Sequence, residues 1–505
     1  MPTKKATPLT LCAISIAALA VQVACGGSSG TIHGGQTGYT NSNLKGTYTF
    51  FALGSDTQGV APDQYEVGGV LVADGNGKVT GGEQTYSNAG GGHFNQNVTG
   101  SYSIASNGLG TITLNTGDAS IGVNGTETLS VVILSPTSGL ISQFDTSATS
   151  NGVLDLQTST AMPTGGYAFS VLGAQSNTVL AFGGVFNIDN SPAAGDISGA
   201  GSVTDMDTPG NLQLAQSLAG TVSAPDSSGK VTIQLAAGFT TAVISFDGYI
   251  VDATRIQLVE HDGYATSGGT AIGQGSATGS FTTPASFSGT FVFGYYGYNL
   301  AGYGATAGVI TADGASGLNN GLIDQTQGGT VISDTLTGSY ANDGAGTGRV
   351  VLTTNFGANG TGPTIICYQT GGGQPIPVLH AETTAREAGV AYTQSGSSPS
   401  FSGTYGVGYT SVQFAVENDI NGVITVSGGT FSGAANENIA FVPASNQKFS
   451  GGFSSGSNGR FTGMITANGS SDQYAFYFVD NTRAVLTQIS GGRITLGNVR
   501  QQAAP

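Results

Sequence analysis

The sequence predicts an all-β chain: four tandem repeats, each an eight-stranded up-and-down β-barrel-like domain, after an N-terminal signal helix and a flexible tether. Three observations predict it. A short Gly-x-aromatic signature returns at even spacing. Apolar residues alternate in short runs, with no helical period beyond the first residues. Turn dipeptides separate those runs.

The signature opens four units, at Gly46 ("KGTYTF"), Gly165 ("GGYAF"), Gly289 ("SGTFVF") and Gly403 ("SGTYG"), spaced 119, 124 and 114 residues apart. A second signature follows about fifty residues later, at Gly100, Gly220, Gly338 and Gly451. A Gly turn feeding an alternating strand comes next: "NGLGTITL", "SGKVTIQL", "GTGRVVL" and "NGRFTGMI". Pro-bearing polar stretches precede the later openings: "TAMPTGG", "TTPASFSG" and "SSPSFSG". They read as linkers and divide the body into repeats 43–160, 161–283, 284–398 and 399–505.

In the first unit, strands are expected near 46–53, 66–73, 78–86, 97–105, 110–115, 127–134, 139–145 and 152–157. Eight sequential strands joined by hairpins suit a closed barrel, which leaves no sheet edge exposed. The signature glycine lets the strand bend beside another backbone, and the aromatic fills the barrel end. Two other architectures fit the same repeats: a sandwich per unit, or half-units as blades of an eight-bladed propeller.

The chain has 505 residues, 84 of them Gly, and only 13 Lys or Arg against 29 Asp or Glu, for a net charge of −16. Nucleic acid is therefore excluded as a partner, because a phosphate backbone would be repelled. The first residues carry a targeting segment. Lys4 and Lys5 precede an apolar run from Leu9 to Val23, and then comes "VQVACGGSSG". This resembles a bacterial lipoprotein signal. The resemblance implies a signal peptide over 1–24, acylation of the Cys25 thiol and a Gly/Ser-rich tether over 25–42. The chain would then meet a membrane through its N-terminal lipid, on the cell envelope and most naturally the outer membrane. Gln22 departs from the pattern, where an aliphatic residue is usual. Cleavage after Ala20 instead would give a secreted protein. Of the cysteines, Cys12 lies in the signal, and Cys367 alone belongs to the body, as a buried thiol in "TIICYQ".

"LKGTYTF", "ADGNGKVTGG" and "VTGSYSI", in that order, are similar to the opening half of an avidin- or lipocalin-type (calycin) barrel. The chain has no Trp, so the resemblance does not extend to the tryptophan-built biotin site. "ACGGSSG" with repeated "LxGTYxF … ADGNG" units also resembles uncharacterised Gly-rich repeat lipoproteins of acidobacterial type. That resemblance implies an address and an architecture, not an activity.

Candidate chemistry is sparse. "GGSSG" at 26–30 matches the nucleophile-elbow pattern, but lies in the tether without its strand and helix. "ADGNG" (73–77) and "ADGASG" (312–317) read as hairpin turns rather than calcium loops. "VDATR" (251–255) and "VDNTR" (479–483) read as Asp-led hairpin tips, with an Asp–Arg ion pair as the other reading. His33, His93, His261 and His380 lack zinc spacing. Glu83 and Asp324 leave a paired-carboxylate site open but unsupported. In "TFVFGYYGYNLAGYG" (290–304), Phe291, Phe293 and Tyr295 share one face and are expected in the core. Tyr296 and Tyr298 fall on the other face, with Tyr303 just beyond. These three are the candidate ligand-binding residues, since exposed tyrosines stack on sugar rings; packing on the barrel exterior is their other reading. No catalytic residue, metal site or cofactor is expected. The expected role is non-enzymatic, structural or adhesive, at a surface carrying glycan or other partners. The alternative is a carrier for a small apolar or glycan ligand in the barrel interiors or on the tyrosines.

Overall fold

The computed structural model describes residues 38–505 except 58–63, 90–91, 176–177, 209–210, 239, 241, 300–301, 358–359, 397–399, 414–415, 455 and 468. The expected signal segment, Cys25, the 26–30 stretch and His33 lie outside the described residues.

The first barrel is built from Lys45–Asp56, Gln64–Asp74, Lys78–Asn88, a fourth strand in two pieces (Gly92–Asn97 and Thr99–Ile104), Leu109–Asn115, Thr126–Ser135, Ser138–Phe144 and Ala148–Leu156. Each predicted strand is present, a few residues longer or shorter at its ends. The first strand pairs antiparallel with both the second and the last, so the sheet closes on itself. The third and fourth repeats are also closed eight-stranded barrels. The propeller and the sandwich are thereby excluded.

The second repeat departs from the pattern. Its third strand is split into Asp196–Ile197 and Val203–Thr208, and its fourth into Asn211–Gln216 and Leu218–Val222. The Gly/Ala/Pro-rich segment from Asn190 to Ser202 has no alternation to hold a ladder, and Pro192 has no N–H to give one.

Inward residues form an apolar core in each barrel. Tyr48, Phe50 and Tyr65 do so in the first, Phe169, Phe182 and Phe186 in the second, and Tyr405, Phe431 and Phe476 in the fourth. Phe291, Phe293 and Tyr295 face the third core, as strand parity predicts.

The signature glycines serve two separate purposes. Those that open the units, Gly46, Gly165, Gly289 and Gly403, all have positive φ, from +80° to +126°. The aromatic two residues on then enters the barrel end. Tyr48, Tyr167 and Tyr405 donate to the carbonyls of Pro136, Ala253 and Asn481, at 2.7, 3.0 and 2.9 Å. Each therefore ties its first strand to the turn between the sixth and seventh strands. The second-signature glycines answer to crowding instead. A Cβ at Gly100, Gly220, Gly338 or Gly451 would sit 1.8–2.1 Å from the carbonyl of the next strand. Gly220→Ala is expected to cost about 3 kcal/mol, because the obstacle is backbone. Gly46→Ala meets only the tip of Leu156 and costs about 1–2 kcal/mol through its positive φ. Urea unfolding of both variants checks the order.

Pro-bearing linkers between tandem repeats suggest barrels strung one after another. They form a ring instead. Each barrel packs on the next, and the fourth packs back on the first. The outward faces explain this, since many strands are apolar on both sides. Ala168 and Val185 meet Ile366 and Leu379 between the second and third barrels. Val292 and Val309 meet Ala475 and Val485 between the third and fourth. Leu109, Val132 and Leu140 meet Val423 at the closure between fourth and first. Glycines let the first two barrels approach: a Cβ at Gly68 would meet Val259, and one at Gly268 would meet Phe51. The C-terminal tail seals the closure. Ala503 donates its N–H to Leu134 at 2.7 Å, and its carbonyl accepts from Tyr39 at 2.5 Å.

Candidate functional site

Three arrangements stand out among the described residues: buried clamps between barrels, a cavity on the ring axis, and one hollow barrel mouth.

The clamps repeat. Asp205, on the second barrel's third strand, accepts from Arg349 Nε and Nη2 at 2.8 and 2.7 Å and from Tyr368 at 2.8 Å, both on the third barrel. Asp324 of the third barrel accepts from Arg460 at 2.6 and 2.8 Å and from Tyr477 at 2.7 Å on the fourth. Between first and second barrels the carboxylate has changed sides. Thr85 bonds to Asp247 and Tyr249 at 2.6 and 2.8 Å, and Lys230 pairs with Asp247 at 2.9 Å. At the ring closure the cation and tyrosine positions are Leu109 and Val132, which pair in register as Lys230 and Tyr249 do. There Asn438 Nδ2 instead donates to the carbonyls of Gln143, Asp145 and Ala148.

Around the axis, Leu53, Leu172, Tyr296 and Thr410 line one cavity of about 290 Å³. Each stands seven residues after its unit's opening glycine. A smaller space of about 20 Å³ beside it is lined by Gln64, Val179, Tyr303 and Glu417, which are likewise equivalent to one another. The larger wall is mostly apolar, completed by Ile272, Pro377, Val390 and Leu496. Glu417 accepts from Ser55, and burial beside Asp419 raises its carboxyl well above the ordinary range. Asp419 is itself pushed up to about 6 by burial, while Thr410 and Thr149 donate to it at 2.6 and 2.7 Å. Tyr296 stacks on Tyr303 at 6.0 Å, and Tyr298 meets Tyr303 edge-on at 5.5 Å. The three tyrosines singled out in the sequence thus form one cluster. Two of them touch the axial space, and Tyr298 is 37% exposed.

The fourth barrel is hollow at one end. A cavity of about 410 Å³ opens there between Tyr409, Asn418, Glu437, Asp472, Tyr474 and Arg493. The two rings lie 6.3 Å apart. Asn418 Nδ2 donates to Glu437 at 3.0 Å, while Asn418 Oδ1 and Ser411 Oγ are buried without partners. Arg493 makes no hydrogen bond or ion pair with any described residue.

No family model matches the chain, and no curated protein matches it. Solved structures do match. One is a tryptophan-to-alanine mutant of the vaccine antigen Transferrin Binding Protein B from Haemophilus parasuis Hp5. It is 9% identical, covers 73% of this chain and 84% of that one, and superposes with a TM-score of 0.16. A superposition that poor carries no argument about function.

Other sequence candidates have structural occupations. Asp74 and Asp313 spend a carboxylate oxygen on backbone N–H groups of their own turns. Asp252 and Asp480 do the same with Thr254 and Thr482. Asp252 also pairs with Arg255 at 2.8 Å, so both readings of "VDATR" hold at once. Asp324 is locked in a clamp. Glu83, in the first barrel, bonds to Ser228 of the second. His380 is buried in the third barrel against Glu387 at 2.7 Å. Cys367 also faces that core, and burial pushes its thiol up to about 12. An aromatic disulfide reagent is expected to leave Cys367 unmodified until the chain unfolds. Release of chromophore from a folded chain in which Cys12 and Cys25 are replaced by Ser would contradict that burial.

Proposed function

We propose that this is a non-enzymatic lipoprotein of the cell envelope, tethered through Cys25, that presents a rigid four-barrel body as a structural or adhesive element. The observation that carries this reading is the closed ring. Four barrels with aromatic cores are joined into one block, by ion pairs at three joints and by Asn438 and aliphatic packing at the fourth, an arrangement suited to load and display. The acidic, lysine-poor composition suits contact with glycan or other surface partners better than with anionic ones. The outer membrane is the address that the lipoprotein-like N-terminus favours.

Metabolic labelling with a palmitate analogue tests the anchor. Full-length protein is expected to take up label and to be shaved from intact cells by external protease. Cys25→Ala is expected to lose the label and leave the membrane fraction. Unlabelled, freely secreted wild-type protein would overturn the reading.

A second reading rests on the axial cavity. Its apolar wall, with Tyr296 and Tyr303 beside it, favours a small apolar ligand held between barrels rather than inside one. Native mass spectrometry of protein from its own envelope would display such a ligand as extra mass lost on denaturation.

A further inference from the structure

The ends of the four barrels that correspond to the hollow mouth are plugged in three different ways and left open once. In the first barrel Tyr65 stacks on Tyr86 at 5.1 Å, and the Tyr86 hydroxyl donates to Asp56 at 2.7 Å. In the second, Leu180 and Met206 are core residues, and Tyr264 lies over Met206. In the third, the buried His380–Glu387 pair fills the space, so that a Cβ at Gly304 would lie 2.1 Å from the Glu387 carboxylate. In the fourth barrel Asn418 and Glu437 take the places of Tyr65 and Tyr86. Each stands four residues from the matching glycine of its strand, Gly422 and Gly433 for the one pair, Gly69 and Gly82 for the other.

The last strand makes the same contrast. The ladder register places Arg493 where the other barrels carry Ala148, Ala265 and Ala385. Those three alanines are buried, whereas Arg493 reaches into a cavity of about 410 Å³. A guanidinium has thus been put into the one mouth that is left open, and no described residue pairs with it. Two carboxylates, Glu437 and Asp472, line the same space, and the buried Ser411 hydroxyl and Asn418 carbonyl lack partners there. Leaving such groups without partners is costly. A ligand that carried the matching groups would recover that cost.

We propose that the mouth of the fourth barrel binds a small zwitterion, a free α-amino acid or a compound of the same charge pattern. Arg493 pairs with the ligand carboxylate. Glu437 and Asp472 receive the ammonium, and Tyr409 and Tyr474 flank the remainder, their ring faces also favouring a cation. This goes beyond the structural reading above and does not depend on lipidation.

The test is saturation-transfer NMR followed by calorimetry on the full four-barrel chain. The probes are the standard L-amino acids, with N-acetylglucosamine and octanoate as neutral-sugar and apolar-acid controls. At least one amino acid is expected to bind with a Kd below about 1 mM. Arg493→Ala restores the residue of the other three barrels, so it is expected to fold with an unchanged urea midpoint and to weaken binding about tenfold or more. The double variant Asn418→Tyr, Glu437→Tyr rebuilds the stacked plug of the first barrel and is expected to abolish binding. The proposal is overturned by no binding of any amino acid at about 1 mM. Binding unchanged by Arg493→Ala, or binding of the sugar or octanoate alone, overturns it as well.

Discussion

Asp205→Ala is expected to destabilise the protein by about 3–5 kcal/mol, seen as a fall in the urea midpoint. The cause is what remains behind. Asp205 has no exposed surface and, among the described residues, is the only carboxylate within ion-pair distance of Arg349, whose side chain is 8% exposed. Removing it strands a guanidinium and the Tyr368 hydroxyl between two barrels. Water cannot replace the lost partner, so desolvation is uncompensated. The control follows from the same reasoning. The double variant Asp205→Ala, Arg349→Met removes the orphaned charge with its partner and is expected to recover most of the loss. A loss below about 1 kcal/mol in the single variant would mean that solvent reaches the clamp.

Raising the pH from about 5 to 7 is expected to weaken the fold, with Glu127 one contributor beside Glu66, Glu260 and Glu417, whose carboxyls burial holds well above the ordinary range. Glu127 is wholly enclosed in the first barrel. Gln84 donates to one carboxylate oxygen, and the other has no partner. Burial pushes this carboxyl from 4.5 up to about 7. The folded state therefore keeps a proton that the unfolded chain has already released. The resulting stability is complete below the unfolded pKa and is lost as pH rises through the folded one, a change on the order of 3 kcal/mol. Asp207, also pushed up to about 7 by burial, acts in the same window with the same sign. His380 is raised from 6.5 to about 9 by Glu382 and Glu387 against its desolvation, and extends the decline into alkaline pH. Asp247 and Asp252, held below 3.8, act with the opposite sign only in more acidic solution. Glu127→Gln keeps a hydrogen-bonding partner for Gln84 and removes the charge. Urea midpoints at pH 5, 6, 7 and 8 should show its slope flatter than the wild type's by the share of Glu127, with a residual decline from the other buried carboxyls. A wild-type midpoint that climbs from pH 5 to 7 would refute the assignment.

What was legible in the sequence was local. A hairpin announces itself within a dozen residues, so the eight strands of the first unit could be placed from turn dipeptides and alternation. Parity on a single strand put Phe291, Phe293 and Tyr295 on the core side. The ring was not legible, because the outward positions of one barrel have meaning only against another. Ile366 and Val309 look like ordinary strand residues until a second apolar face is set beside them. The same holds for the clamps, where Asp205 and Arg349 lie in different repeats. Two signals were nonetheless present. Counting seven residues from each opening glycine gives Leu53, Leu172, Tyr296 and Thr410, the axial set. Superposing the last strands gives three alanines and Arg493. Repeats conceal function in their exceptions, and finding an exception requires aligning the repeats strand by strand rather than by their motifs. The broken third strand of the second barrel is an exception of another kind, where an irregular insertion overrides the repeat.

The closure between fourth and first barrels also fixes an order of assembly. Three of the four joints connect consecutive units and need only two neighbouring barrels to form. The last joins Ser130 to Asn436 and Leu134 to Ala503, groups separated by more than three hundred residues. Loop closure over such a span gains nothing until the intervening barrels are compact. Until then the apolar face of Leu109, Val132 and Leu140 is without its cover, and is the sticky surface of the half-made molecule. At the clamp position, where the other joints hold an arginine or lysine and a carboxylate, the joint that forms last holds Asn438 with Leu109 and Val132. That stretch of the seam offers no cation to pull in a wrong partner, and it closes only on a surface that fits.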